Sequence, residues 1–210
     1  MSESLRQALS SSSQSSEITQ ALEGTKPIDL LIWTTTPWSL PSNMAIAVHP
    51  ELEYCLVQAE SQDSHLFIMG AERVEALTEL KLGLHPTAAK KGEEPAASGH
   101  RTTFGPLREI ARFRGRDLIG SEYSHCFLQK DKVSRPVVPA DYVTAETGTG
   151  LVHTAPAHGA EDYENLKSLG LLDGEELISP INDEGRYTDE APEPLRGLDV
   201  LGAGARKATQ

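Results

Sequence analysis

Gly148-Thr149-Gly150-Leu151-Val152-His153-Thr154-Ala155-Pro156-Ala157-His158-Gly159-Ala160-Glu161-Asp162-Tyr163 runs from a glycine turn, through a short apolar strand, into a proline-broken loop and the start of a helix. Leu151-Val152-His153 reads as a strand whose end delivers Thr154 and Ala155 to Pro156. Residues 161–169 read as a helix closed by Gly170, a residue that takes the left-handed backbone of a helix end without steric cost, and this places Asp162 in or near the first turn. Far upstream stands the other informative stretch, Trp33-Thr34-Thr35-Thr36-Pro37-Trp38. Leu30-Leu31-Ile32-Trp33 has the apolar run of a buried strand. Pro37 and Pro41 lack the N–H that a ladder needs, so the threonines behind that strand form a loop. Hydroxyls, loop amides and two flat indole faces in so short a segment suit a sugar, base or ester better than a packed interior.

Working outward, residues 45–48, 54–59 and 65–69 read as strands, with His49-Pro50 and Ser61-Gln62-Asp63 as turns, a meander spacing typical of small barrels. Residues 71–82 read as a helix, because Val74, Leu77 and Leu80 recur near helical spacing among charges. Residues 83–105 combine Lys90-Lys91, Glu93-Glu94 and prolines without apolar periodicity, as an exposed insertion does. Strand-like runs follow at 118–128 and 135–138, where Pro136 and Pro139 favour a sheet edge. Beyond Asn182 the chain is turn-rich, with Arg186-Tyr187-Thr188 as its one expected strand. Ser10 to Ser16 is low in complexity and little before Lys26 offers an apolar face, so residues 1–27 read as a flexible lead and residues 28–210 as one domain.

With 210 residues the chain is long enough for one good core, and its 38% hydrophobic content is modest. A formal net charge of -12 argues against a protein that grips nucleic acid over a broad basic surface, since such binders neutralise phosphates with clustered Lys and Arg. Any RNA contact is expected to be local. Cys55 and Cys126 are too few for a zinc cage or a disulfide scaffold, the plain reading being a reducing compartment. No run has the length of a membrane span, and the first twenty residues lack the apolar stretch of a secretory signal. A soluble protein without membrane contact is expected.

Several chemistries have no support. There is no Gly-x-Ser-x-Gly elbow for a serine nucleophile. His125 and Cys126 are adjacent, which on a strand sends their side chains to opposite faces. Gly148-Thr149-Gly150 lacks the lysine and spacing of a phosphate loop. His153, His158 and Asp162 form the strongest metal-ligand candidate, but Pro156 and Gly159 break the helix that would align them, and neither a metal nor any other cofactor is expected.

The two quoted blocks resemble the threonine-rich segment and the His-Ala-Pro-His-Gly-Asp segment of the editing domain of isoleucyl-tRNA synthetases, which hydrolyses wrongly charged tRNA. The resemblance extends over about residues 28–201, with weaker matches at 115–123 and 183–189. Where the family has Thr, Ala and Gly, this chain has Ser39, Ser42 and Ala157; Ser39 keeps a hydroxyl, and Ala157 adds one methyl to the loop. The Val-His-Thr-Ala-Pro wording is closest to the bacterial and organellar type. The chain carries neither the His-x-Gly-His nor the Lys-Met-Ser-Lys-Ser signature of the ATP site, so it is expected to be the editing domain alone.

What the resemblance implies is a mixed α/β (α+β) fold, with a small closed β-barrel core and peripheral helices. It implies Asp162, His153, Thr35 and Thr36 at the catalytic positions, and substrate contacts from Trp33, Thr34, Thr35, Thr36, Trp38, His153, Ala155, His158 and Asp162. Asp162 takes the place of the aspartate that holds the substrate's ammonium, the threonines line the adenosine side, and His153 bounds the side-chain pocket by volume and hydrogen bonding. His158 orients a turn or a water, and Glu161 is a solvated neighbour. No side chain reads as a general base, so a positioned water is expected to attack. The implied partners are the 3′ end of mischarged tRNA(Ile) and the remainder of a synthetase, around a monomeric domain. The serine-rich lead and the 83–105 insertion favour the mitochondrial matrix, with the bacterial cytoplasm as the alternative. A non-catalytic RNA-docking module and a metal-dependent hydrolase are the rivals from other classes.

Overall fold

The computed structural model describes residues 28–59, 66–79, 106–125, 134–173 and 177–200. The expected lead over 1–27 and the whole of the expected insertion over 83–105 lie outside these residues, as do 80–82 of the expected helix, the expected turn at 61–63 and 126–128 of the expected strand.

Among the described residues, eight strands form two four-stranded sheets. The first has the order β1-β4-β3-β5, from β1 (Ile28–Leu30), β4 (Leu66–Gly70), β3 (Glu53–Ala59) and β5 (Leu107–Arg114). The second has the order β6-β7-β2-β8, from β6 (Glu122–Ser124), β7 (Ser134–Pro139), β2 (Ala45–Val48) and β8 (Val152–Thr154). Short helices α1 (Val74–Glu79), α2 (Gly115–Leu118) and α3 (Ala160–Ser168) lie between or beyond them, and Pro37–Ser42 winds into a 3-10 turn. None of the described helices is long and apolar enough to cross a membrane.

The main core lies between the sheets. Alternation along β2 sends Ile46 and Val48 into the cluster with Tyr54, Leu56, Leu66, Ile68, Ile110 and Phe113, while Ala45 and Ala47 face a second cluster with Val138, Val143 and Leu166 of α3. β2 is therefore buried on both faces, and Ala at two of its four positions lets α3 approach closely.

Several expectations are corrected by the pairing. The strands do not close into one barrel among the described residues: a single parallel bridge, Trp33 to Val152, joins the β1 side to β8, and no pairing joins β5 to β6. Nor is the array a simple meander. β3 and β4 form an antiparallel hairpin, but β2 leaves that sheet to pair parallel with β7 and antiparallel with β8. The strand at 28–30 is only partly buried, and Trp33 beyond it is 51% exposed. β7 is interior rather than an edge, its prolines being accommodated because Pro136 precedes the first β2 partner, at Val137, and Pro139 takes the last. Leu118 sits in α2, whose first residue Gly115 is pressed on the His49 turn so closely that a Cβ would come within 2.1 Å of His49 O. The expected strand at 186–188 contributes only isolated bridges.

β5 is a strand that alternation conceals. The register against β3 shifts between Leu56 and Val57, so Ile110 and Ala111 are both buried side by side and the period of two breaks.

The glycine turn holds the sheets together. Gly70 N–H donates to Thr149 O at 2.7 Å, and a Cβ on Gly150, whose φ is +80°, would meet Gly70 Cα at 3.0 Å. Gly150→Ala combines left-handed strain, about 1 to 2 kcal/mol for a residue with a Cβ, with backbone collision. Urea denaturation is expected to show a loss of more than about 1 kcal/mol; an unchanged midpoint would refute the close approach.

Candidate functional site

Both ends of the threonine segment are tied to one short stretch of chain. Trp33 N–H donates to Leu151 O at 3.3 Å, Met44 N–H donates to Thr154 O at 3.0 Å, and Ile46 stands opposite His153 in the β2–β8 register. Residues 34–43 thus arch beside β8, and the two sequence blocks come together as one site.

Within the arch, Thr36 N–H donates to Thr34 Oγ1 at 3.1 Å, and the two hydroxyls lie 3.3 Å apart. Thr36 ends the loop and opens the 3-10 turn, where Pro37 supplies the fixed φ of a first helical position. Ser39 donates both its N–H and its Oγ–H to Thr36 O, at 2.9 and 2.8 Å. Thr35 and Thr36 are exposed, and Trp33 covers Gly148 so closely that a Cβ there would sit 2.8 Å from the indole. Trp38 is half-buried, edge-on to His158 at 5.1 Å between ring centroids.

Three imidazoles hold the 3-10 turn from other elements. His153 Nε2 lies 3.0 Å from Ser39 Oγ, His158 Nε2 lies 2.9 Å from Ser42 Oγ, and His125 Nε2 donates to Leu40 O at 3.1 Å. Burial lowers the proton affinity of all three. For His153, only 5% exposed, the pKa falls to about 4, with its neighbours His125 and His158 adding to the burial effect. Its Nδ1 is occupied as well, by Asn43 Nδ2 at 2.8 Å. His153 is therefore a neutral ring with both nitrogens engaged by the protein, a poor starting state for a general base.

Asp162 stands in the first turn of α3, where the helix N-terminus favours a negative charge. It folds back over Gly159, accepting from Ala155 N–H at 2.8 Å and from Tyr142 Oη–H at 3.2 Å. Burial raises its pKa, and these two donors oppose the rise. Tyr142 is pushed up to about 12 by burial and by Asp162, so it remains a donor at neutral pH. Each carboxylate oxygen has more than one lone pair, which leaves acceptor capacity for a cationic donor. Glu161 beside it is exposed.

Tyr142, Tyr123 and Asn43 are site residues that sequence reasoning missed. Asn43 closes the threonine string and Tyr123 ends the weaker match at 115–123, so both were open to notice; Tyr142 stands in no such pattern and reaches the site only through loop closure. Among the described residues, no three His, Cys, Asp or Glu side chains are gathered to hold a metal.

No family model matches the chain. Its fold matches the P. knowlesi cytosolic leucyl-tRNA synthetase editing domain, with a TM-score of 0.56 at 18% identity over 80% of this chain and 57% of that one. The CP1 domain of GlLeuRS gives 0.52 at 17% identity over 82% of this chain and 65% of that one. The isoleucine–tRNA ligase of Carboxydothermus hydrogenoformans is 41% identical over 162 residues, 77% of this chain. The probable mitochondrial isoleucine–tRNA ligase of Dictyostelium discoideum is 37% identical over 180 residues, 84% of this chain. The chain spans only 14% and 15% of the lengths of these two ligases. The chain thus has a mixed α/β fold like that of these two domains. In sequence, it is similar to one segment of isoleucine–tRNA ligases, a bacterial and a probable mitochondrial one among them.

The depressed His153 pKa sets a pH dependence. The unfolded ring takes its proton near the ordinary 6.5, the folded ring only near 4, so this group's contribution to stability is full above 6.5 and is lost as pH falls through that interval. His125 and His158 act with the same sign, while Asp162, whose folded pKa is raised, opposes them as it protonates. Denaturation at stepped pH is expected to show stability declining from about pH 6.5 downward, with the NMR titration of His153 well below that of a free imidazole. A His153 ring titrating at its ordinary value would contradict the doubly bonded neutral ring.

Proposed function

We propose that this chain is the post-transfer editing domain of an isoleucyl-tRNA synthetase, hydrolysing the ester of valyl-tRNA(Ile). The observation that carries this reading is the convergence on β8 of the threonine arch and the Asp162 loop, the two segments in which the chain most resembles isoleucyl editing domains. An aminoacyl ester offers one handle common to all its side chains, the α-ammonium. Asp162 meets it with charge-assisted hydrogen bonds, held in place by Ala155 N–H and Tyr142. Thr34, Thr35 and Thr36 hold the terminal ribose and adenine, with the exposed indole of Trp33 and the half-buried Trp38 beside them.

The attack is by water. Its oxygen adds to the ester carbonyl, the tetrahedral intermediate collapses with loss of the ribose oxygen, and that oxygen takes a proton to leave tRNA and valine. With His153 neutral and both its nitrogens bonded, acceleration rests on holding ester and water in attacking geometry and on substrate hydroxyls. Selectivity follows from size. A synthetic pocket rejects a side chain one methylene too small by only about 1 to 3 kcal/mol, isoleucine against valine being the usual illustration, so a second site must exclude the larger ester. His153 with Ala155 bounds that site, where an extra methylene costs about 1 to 3 kcal/mol through overpacking. The site acts at the 3′ end of the tRNA, which the rest of the synthetase delivers, in the mitochondrial matrix or the bacterial cytoplasm.

Asp162→Asn keeps an acceptor for Ala155 N–H and removes the charge. It is expected to weaken binding of a non-hydrolysable valyl-adenosine analogue at least about tenfold, the loss of one charged hydrogen bond, with little change in melting temperature. Calorimetry giving wild-type affinity would dismiss Asp162 as the ammonium anchor. His153→Ala, made in the full-length synthetase, is expected to deacylate isoleucyl-tRNA as well as valyl-tRNA. If the mutant spares the isoleucyl ester as wild type does, exclusion lies elsewhere. Binding without turnover by the intact enzyme would instead favour a docking module.

A further inference from the structure

The protons in the centre of the site have an order that two backbone carbonyls dictate. Asn43 Nδ2 donates to Ala45 O at 2.8 Å, and since a carbonyl only accepts, the amide must lie with its NH2 on that side. The same Nδ2 is 2.8 Å from His153 Nδ1, which is therefore an unprotonated acceptor. The single proton of the neutral ring sits on Nε2 and is donated to Ser39 Oγ at 3.0 Å. The Ser39 hydroxyl donates its own hydrogen bond to Thr36 O, again an atom that only accepts, at 2.8 Å. At the other end, Tyr123 of β6 donates its phenolic proton to Asn43 Oδ1. A buried amide is costly unless its groups are paired, and Asn43, 6% exposed, has its oxygen and both N–H directions engaged.

We propose that Tyr123 and Asn43 are positioning residues: they hold His153 as the neutral Nε2–H tautomer and, through Ser39, fix the direction in which the threonine hydroxyls point. This rests on the editing reading of the site. Because the Ser39 proton is committed to Thr36 O, the 3.3 Å contact between Thr36 Oγ1 and Ser39 Oγ has Thr36 as donor. One lone pair of Thr36 Oγ1 is then left to accept from the Thr34 hydroxyl 3.3 Å away, and the other meets the substrate or the attacking water as an acceptor. Tyr123 and Asn43 reach neither the ester nor the water in this scheme. They act by setting which way each intervening proton lies, and the chain of bonds draws on β6, the end of the 3-10 turn before β2, and β8 at once.

The test reads the ring directly. Two-dimensional NMR of this chain labelled with 15N in histidine distinguishes the tautomers by their long-range couplings, the His153 signal being identified by its loss in His153→Gln. Wild type is expected to show the Nε2–H form alone. Tyr123→Phe removes one donor and no ring atoms, and is expected to add a visible Nδ1–H population. Asn43→Asp, whose carboxylate can only accept from the ring, is expected to put the proton on Nδ1. A pure Nε2–H ring in both variants overturns the proposal. In the full-length synthetase, Tyr123→Phe is expected to lower kcat for valyl-tRNA deacylation about tenfold with KM unchanged, as for a group that acts on the reacting geometry and not on substrate affinity. Wild-type kcat beside an altered tautomer would overturn the positioning role. A wild-type enzyme without deacylation would remove the editing reading, leaving the ring spectra to judge the tautomer lock by themselves.

Discussion

The site depends on one constraint: β8 uses both of its edges to hold the same loop. Trp33 bonds to Leu151 on one side, and Met44 and Ala45 meet Thr154 on the other, so the threonine segment is pinned at both ends by neighbouring residues. Closing a loop of this length by backbone hydrogen bonds removes most of its freedom before any side chain contributes, and that entropy is repaid by the buried faces of β2 on either side. The same stretch supplies His153 and leads directly into the Asp162 loop. A displacement of β8 would therefore move the hydroxyls, the imidazole and the carboxylate together.

Charge is distributed with the same economy. Burial keeps the three imidazoles neutral, and Asp162 is the acid tied into the loop. Around the β3–β5 pairing, Arg112 bridges Glu53 and Glu109, and Arg114 also approaches Glu53. These side chains are largely exposed, so their pairing contributes little to stability, typically no more than about 1 kcal/mol each. A net charge of -12 gives this chain a surface field that repels polyanions on average, so any attraction for one has to be local.

Much of the architecture was legible where a segment's own chemistry decided its structure. Apolar runs marked β2, β3 and β4, the paired glycines at 148 and 150 marked a turn, each with positive φ, and Gly170 marked the end of α3. Legibility failed where a neighbour intervened. The bulge opposite Leu56 hid β5 by burying two successive residues, and the parallel partner of β2 converted an expected edge strand into an interior one. The expected barrel closure is not found: among the described residues a single bridge at Trp33 stands where a barrel requires a continuous ladder.

By itself the sequence determined the composition of the two blocks: which hydroxyls stand in a row, where proline forbids a ladder, where glycine permits a turn, and that Asp162 opens a helix. These are local properties, fixed by the covalent structure of a few consecutive residues. Only the tertiary structure decided that Asn43 faces His153, that Tyr123 reaches Asn43 and that Tyr142 reaches Asp162. Those contacts depend on the β2–β8 and β6–β7 registers, and a shift of one residue in either would turn the same side chains to the opposite face. The tautomer of His153 belongs to the second kind. In water a neutral histidine ring populates both tautomers, and here the carbonyl oxygens of Ala45 and Thr36, through Asn43 and Ser39, leave one.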